Sequence, residues 1–193
     1  MTTVLLTGFE PFGTATSNPS GEIVKQISGD NIVTAILPVA YAGSAERLLA
    51  LIAEHNPDVV ICLGQAEGRT QITPEKIAIN LDDARLADNE GVLRNDVKIL
   101  ENGPDAYFTT LPVNKMVEAI KAKGVPAAVS LSAGAFLCNH VFYVAQSKLA
   151  GTKVRSGFVH VPLMDSQAPE FPGLPTMPLD QMVKAVRAML EVL

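Results

Sequence analysis

The 193-residue chain is 48% apolar and 18% charged, the balance of a soluble globule with a large core and not of a disordered or fibrous chain. Its net charge of −5 gives no electrostatic footprint for nucleic acid or an anionic membrane. The opening MTTVLLTGFE has no basic leader, and its apolar run is too short for a signal peptide or a membrane span, so the expected location is the cytoplasm.

Apolar runs that end at glycine alternate with stretches of helical period. Residues 3–8 predict a buried parallel strand, and Asn18-Pro19-Ser20 opens a helix ahead of Ile23, Val24 and Ile27. Residues 32–39 predict a second strand. Ser44 is the expected N-cap of an amphipathic helix carrying Ala45, Leu48, Leu49, Ile52 and Ala53, which His55-Asn56-Pro57 ends. Residues 58–64 form the strongest strand pattern, and residues 77–81 a looser one. The charged stretch 82–105, broken by Gly91, Gly103 and Pro104, predicts a long surface excursion with a small hairpin. A helix is expected over 112–123 and a buried strand over 126–131. The small-residue turn Ser132-Ala133-Gly134-Ala135 follows, then a helix with Leu137, Val141, Val144 and Ala145 facing inward. Residues 157–163 read as the last strand, 162–178 as a proline-rich loop, and Leu179, Met182, Val183, Val186 and Leu190 as one face of a closing helix. Helices between strands imply crossover connections, hence an α/β fold with a mainly parallel sheet covered on both faces. Without an internal repeat or linker, residues 1–193 are expected to form one domain.

In such sheets ligands bind beyond the carboxyl ends of the strands, which directs attention to residues 9–13, 64–69, 132–138 and the surroundings of His160. Cys138 lies where a small-residue turn meets a helix N-terminus. Unpaired amides there favour a thiolate and offer donors to an oxyanion; the competing reading is a small core hydrophobe. Cys62 sits inside a strand and reads as a core thiol. The two cysteines are expected to be free, and they lack the company and spacing of a zinc set. His55 ends a surface helix, and His140, two residues after Cys138, points elsewhere. His160 lies in the apolar segment Phe158-Val159-His160-Val161-Pro162, either as a core imidazole or as the base for a distant cysteine. Glu75, Asp82 and Asp83 are the candidates for a group that orients it. In the first loop Phe9 and Phe12 stand where a phosphate-binding loop would carry glycines. With neither a G-x-G-x-x-G motif nor a P-loop lysine, the sequence argues against a nucleotide site.

Ordered matches along nearly the whole chain resemble the pyrrolidone carboxyl peptidase (pyroglutamyl peptidase I) family of cysteine peptidases. They are Leu6-Thr7-Gly8-Phe9-Glu10-Pro11-Phe12-Gly13 with Asn18-Pro19, Gly64-Gln65-Ala66 with Gly68-Arg69, and Glu75-Lys76-Ile77-Ala78-Ile79-Asn80. Further matches are Asp83-Ala84-Arg85, Asp88-Asn89-Glu90-Gly91, Tyr107 to Pro112, Ser132-Ala133-Gly134 with Leu137-Cys138-Asn139, and Gly157 to Pro162. The resemblance implies a three-layer α/β/α sandwich, no cofactor or metal, commonly a homotetramer, and hydrolysis of an N-terminal pyroglutamyl residue from small peptides. It implies a triad of Cys138, His160 and Glu75, working through a thioester, with Arg85 supporting the oxyanion. A flat, neutral lactam suits aromatic walls with a few polar contacts, so Phe9 and Phe12 are the expected walls and Gln65 the partner for the lactam edge. Asn18 is expected either to touch the ligand or to cap the first helix. Lys76, in place of an expected arginine, and Pro74 depart from the family pattern beside Glu75.

Overall fold

The strands that read most clearly as apolar runs make the centre of the sheet. The computed structural model describes residues 2–193. In chain order its strands are β1 (Val4–Phe9), β2 (Ile32–Leu37), β3 (Val59–Gln65), β4 (Thr73–Pro74), β5 (Ile77–Ile79), β6 (Ala106–Phe108), β7 (Arg155–Val161), β8 (Leu163–Met164) and β9 (Thr176–Met177). Its helices are α1 (Pro19–Gln26), α2 (Tyr41–His55), α3 (Val113–Ala122), α4 (Leu137–Leu149) and α5 (Leu179–Leu190). The main sheet has the order β2-β1-β3-β7-β4, parallel throughout except for β4, which runs antiparallel to β7.

Strand alternation divides the core in two. Val4 and Leu6 of β1, Val59, Ile61 and Leu63 of β3, and Val159 and Val161 of β7 pack with the buried faces of α1, α3 and α5. Leu5 and Phe9, Val60 and Cys62, and Phe158 face the other way, toward α2 and α4. By the same period Gly64 and His160 fall on this second face. The result is a three-layer α/β/α sandwich with an open, mainly parallel sheet, as the alternating pattern predicts. Gly8 belongs to the first face, where a Cβ would collide with the Ser20 backbone carbonyl; its absence lets α1 lie directly on β1, and the Phe9 amide donates to Ser20 Oγ at 2.9 Å.

Several expectations change. Ser44 does not cap α2, which starts at Tyr41; Ser44 is buried inside the helix and its hydroxyl turns back to the Tyr41 carbonyl at 3.4 Å. The cap comes from far along the chain, because the Tyr41 amide donates to Asp88 Oδ2 at 2.9 Å. Residues 126–131 form no strand. They touch the sheet edge through isolated bridges, Ile72 with Ala127 and Glu75 with Ser130, and Leu131 is 73% exposed. The 77–81 strand ends at Ile79 and pairs with β6 outside the main sheet, while the excursion between them carries one bridge, Asp82 with Val97, in place of a hairpin. The 162–178 loop holds a 3₁₀ turn at Asp165–Gln167 and the short parallel pair of β8 and β9.

Candidate active site

The carboxyl ends of β1, β3 and β7 and the start of α4 converge on the second face. Cys138 is the second residue of α4, whose N-cap, Phe136, makes no side-chain hydrogen bond. The first-turn amides have no partners within the helix, and Cys138 itself carries one of them. Gly64 lies opposite His160 in the β3–β7 register. A Cβ on Gly64 would stand 2.8 Å from Cys138 Sγ and 2.7 Å from the Phe158 ring, so only glycine lets the thiol settle against the sheet beside the imidazole.

His160 is buried, and its Nδ1 is 2.7 Å from Glu75 Oε1. A carboxylate there accepts, so Nδ1 carries the proton and Nε2 is left as the acceptor. Glu75 is fully buried at the sheet edge, where its amide donates to the Phe158 carbonyl at 2.9 Å. Arg69 Nη1 donates to the same Oε1 at 2.7 Å and also to Thr73 Oγ1, while its Nη2 reaches the Ser132 carbonyl at 3.0 Å. Pro74 joins residues 126–130 only through its carbonyl, which takes the Ser130 amide at 2.9 Å; its missing N–H leaves a gap in the backbone bonds that Ile72 and Lys76 make to the same segment. Lys76 turns its ammonium toward the Phe108 ring, 6.0 Å from the centroid.

The electrostatics set the resting protonation state. Burial pushes the Cys138 thiol up to about 12, the Glu75 charge adds to this, and Arg69 opposes it. The helix N-terminus alone would favour a thiolate; desolvation outweighs it here. Burial also lowers His160 below the ordinary histidine value, against the pull of its Glu75 hydrogen bond. Near neutrality the site therefore holds a neutral thiol and a neutral imidazole poised to accept a proton.

Beside Cys138 opens a cavity of about 160 Å³. Phe9 and Phe12 both line it, as do Asn18 and Gln65. Phe9 is buried against Phe158 with ring centroids 6.5 Å apart, and Phe12 leans on Phe136 at 5.3 Å. Asn18 is the N-cap of α1: its Oδ1 takes the Ser20 amide and hydroxyl, and its Nδ2 donates to the Glu10 carbonyl. The capping role thus occupies most of its hydrogen-bonding groups while the residue still borders the cavity. Arg85 is exposed and, among the described residues, makes no side-chain hydrogen bond or ion pair; its segment approaches the site through the Asp83 amide, which donates to the Ala135 carbonyl at 2.8 Å. No group of three or more His, Cys, Asp or Glu side chains among the described residues is arranged to hold a metal ion.

The sequence matches the family model for pyroglutamyl peptidase over residues 2–193. The chain belongs to the pyroglutamyl peptidase family. The pyrrolidone-carboxylate peptidase of Cupriavidus pinatubonensis is 46% identical over 195 residues, covering 97% of this chain and 90% of that protein. That of Aliivibrio fischeri is 48% identical over 191 residues, covering 96% and 90%. Among solved structures, pyroglutamyl peptidase I of Bacillus amyloliquefaciens superimposes with a TM-score of 0.94 at 43% identity, covering 98% of this chain and 95% of that one. A mutant pyrrolidone carboxyl peptidase of Pyrococcus furiosus gives 0.91 at 38% identity, covering 98% and 97%.

For this family member the alternatives left by the sequence separate cleanly. Glu75 meets His160, whereas Asp82 meets the other buried histidine: Asp82 Oδ2 is 2.9 Å from His140 Nδ1 and 2.7 Å from Arg94 Nη1. The Asp83 side chain is exposed. Cys62 is a fully buried thiol of β3, pushed up to about 12 by burial. Three residues around the site escaped the sequence reading. Arg69 was visible only as part of a motif, since nothing local says that a loop arginine will reach a glutamate six positions on. Phe136 gives the cavity a third ring, and its one signal was an aromatic residue directly before the α4 N-terminus. Gln167 lies in the segment 162–178, which the sequence marks only as a proline-rich loop.

Proposed function

We propose that this chain removes N-terminal pyroglutamyl residues from peptides as a cysteine exopeptidase, with Cys138 as nucleophile, His160 as general base and acid, and Glu75 as the carboxylate that orients the imidazole. The observation that carries the reading is the convergence at Gly64: a thiol packed against a glycine that stands in register with a glutamate-bound histidine, at the edge of an aromatic cavity.

As Cys138 Sγ attacks the pyroglutamyl carbonyl carbon, His160 Nε2 takes the thiol proton. The carbonyl oxygen gains negative charge within reach of the first-turn amides of α4, which are fixed in place before the reaction starts. Collapse of the tetrahedral adduct breaks the C–N bond, and His160 returns its proton to the leaving amine. The thioester is then hydrolysed by a water that His160 deprotonates, which regenerates the thiol and frees pyroglutamate. Glu75 stabilises the imidazolium formed in both halves, and Arg69 holds that carboxylate in place through its 2.7 Å bond to Oε1. The rings of Phe9 and Phe12 enclose the flat lactam, with Gln65 at its edge and Asn18 bracing the loop. Arg85, carried toward Ala135 by the Asp83 tie, supports the oxyanion once substrate is bound.

The same reading takes residues 1–193 as one catalytic domain acting in the cytoplasm as a homotetramer. A thiol nucleophile calls for a reducing compartment, and among the described residues no helix is long and apolar enough to cross a membrane. Exposed apolar side chains at Leu86, Leu93, Leu100, Phe108 and Leu131 supply surface for self-association. Sedimentation should report four chains per particle; a monomer at micromolar concentration would count against that assembly. The activity itself is tested by turnover of a fluorogenic pyroglutamyl amide by reduced wild type and Cys138→Ala. Turnover by the wild type alone is expected, and no turnover by folded, reduced wild type refutes the function.

A further inference from the structure

Gln167 is a glutamine with no exposure at all, in the 3₁₀ turn that follows β8. Its contacts reveal which way round the Gln65 amide faces the cavity. Oxygen and nitrogen of an amide side chain look alike, so their placement has to be deduced from partners that can only donate or only accept. Two backbone groups supply that information. The Met164 amide, an obligate donor, lies 2.9 Å from Gln167 Oε1, which makes that atom the oxygen. The Ser17 carbonyl, an obligate acceptor, lies 3.2 Å from Gln167 Nε2, which makes that atom the NH₂.

The second hydrogen of the same NH₂ goes to Gln65 Oε1 at 3.0 Å. Gln65 thus spends its acceptor on a buried donor whose direction is fixed by main chain on both sides. What remains for the cavity is its NH₂, whose one other contact is a long 3.5 Å approach to Glu67 Oε1. A ligand carbonyl placed there would gain a fully oriented donor.

We infer that Gln167 is a specificity-positioning residue: it locks the Gln65 amide so that Gln65 donates to the ring carbonyl of the lactam and does not accept from the ring N–H. The inference rests on the proposed function and deepens it by stating which edge of the ring Gln65 reads. It also gives a reason for the Ser17 link, since the same NH₂ ties the loop that carries Phe12 to the end of β3.

The test uses two five-membered ring probes, 2-pyrrolidone, with carbonyl and N–H, and γ-butyrolactone, with the carbonyl but no N–H. Binding is followed by NMR titration of the full chain carrying Cys138→Ser, which removes thiol chemistry, with and without Gln167→Glu. A carboxylate at 167 still accepts from the Met164 amide but cannot donate, so it draws the Gln65 NH₂ toward itself and turns the Gln65 oxygen to the cavity. γ-Butyrolactone should then lose about tenfold in affinity, the scale of one hydrogen bond, and 2-pyrrolidone less, because its N–H can meet the new acceptor. In the Cys138-containing enzyme, Gln167→Glu should raise KM for a pyroglutamyl amide while kcat changes little. Gln167→Met, of similar volume and unable to orient Gln65, should weaken both probes with a smaller change in their ratio. An unchanged ratio in folded Gln167→Glu, or a wild-type site that binds 2-pyrrolidone but not γ-butyrolactone, overturns the assignment. Wild-type turnover is recorded alongside: turnover with an unchanged ratio defeats only this inference, whereas absence of turnover defeats the function on which it rests.

Discussion

Gly64 matters because it has no side chain. A methyl group there would displace the Cys138 sulfur or the Phe158 ring, which stand 2.8 and 2.7 Å from the Cβ position. Gly64→Ala should therefore lower kcat/KM by about 100-fold or more, the cost of misplacing a reacting atom by an ångström, while circular dichroism shows the fold retained; near-normal activity would mean that the thiol does not work from this position. Protonation makes a second prediction at the same scale. In the proposed mechanism His160 acts as base only when neutral, and burial lowers its pKa, so kcat/KM should rise with pH through an acid limb centred below the ordinary value of about 6.5. It should then stay level through neutrality, because the thiol ionises only near 12. A site that rested as a thiolate–imidazolium pair would instead react with iodoacetamide at an undiminished rate at acidic pH. Glu75→Gln keeps the shape but removes the charge that stabilises the imidazolium, and should cost on the order of 10²–10³ in kcat.

Elements carry the second layer. The start of α2 is capped by a carboxylate 47 residues away, Asp88, whose other oxygen takes the Glu90 and Val92 amides at 3.0 and 2.8 Å. Asp88→Ala should destabilise the protein by about 1–3 kcal/mol, a lost cap plus buried unpaired amides, read from the urea midpoint; a change below a few tenths would show that solvent replaces it. This cap also explains why Ser44 misled. Serine ahead of an apolar helical stripe is a good local signal, but the competing donor-acceptor pair comes from the excursion, and sequence spacing holds no trace of that pairing. By contrast β1, β3, α3 and α5 were legible because burial alone dictates their patterns. Strand 126–131 was not: its apolar run is real, yet Pro74 opposite it has no N–H to donate, so the backbone bonds between 72–76 and 126–130 are interrupted and only bridges form.

For the whole molecule, one sheet separates two cores, and the chemistry sits on one of its faces. The α1, α3 and α5 side is almost wholly apolar, whereas the α2 and α4 side also buries His140, Asn139, Glu75, Asp82 and His160. The β1–β3–β7 register puts Phe9, Gly64 and His160 on that one face, which the sequence does not give, because the period of two orders residues within a strand and not between strands. Spacing alone does not choose among Glu75, Asp82 and Asp83 as the partner of His160, and the family resemblance points to Glu75; the fold builds two carboxylate–histidine–arginine clusters, one on each buried histidine, and it is Glu75 that meets His160. The two thiols, Cys62 fully buried and Cys138 partly exposed, give a global prediction. Cys62 and Cys138 both ionise near 12 when folded, so an unfolded chain sheds these protons first as pH rises. Their contribution to stability is complete below about pH 8.5 and is lost as pH climbs toward 12; chemical denaturation should show a decline over that window that Cys62→Ala reduces. The central claim is that Cys138 carries the acyl group, and it is tested most directly by acid-quenching the first turnover of a pyroglutamyl aryl ester and mapping the chain by mass spectrometry. One pyroglutamyl group on Cys138, with Cys62 unmodified and no label in Cys138→Ala, is the predicted result; an acyl group on another residue, or unaltered ester turnover by Cys138→Ala, would contradict it.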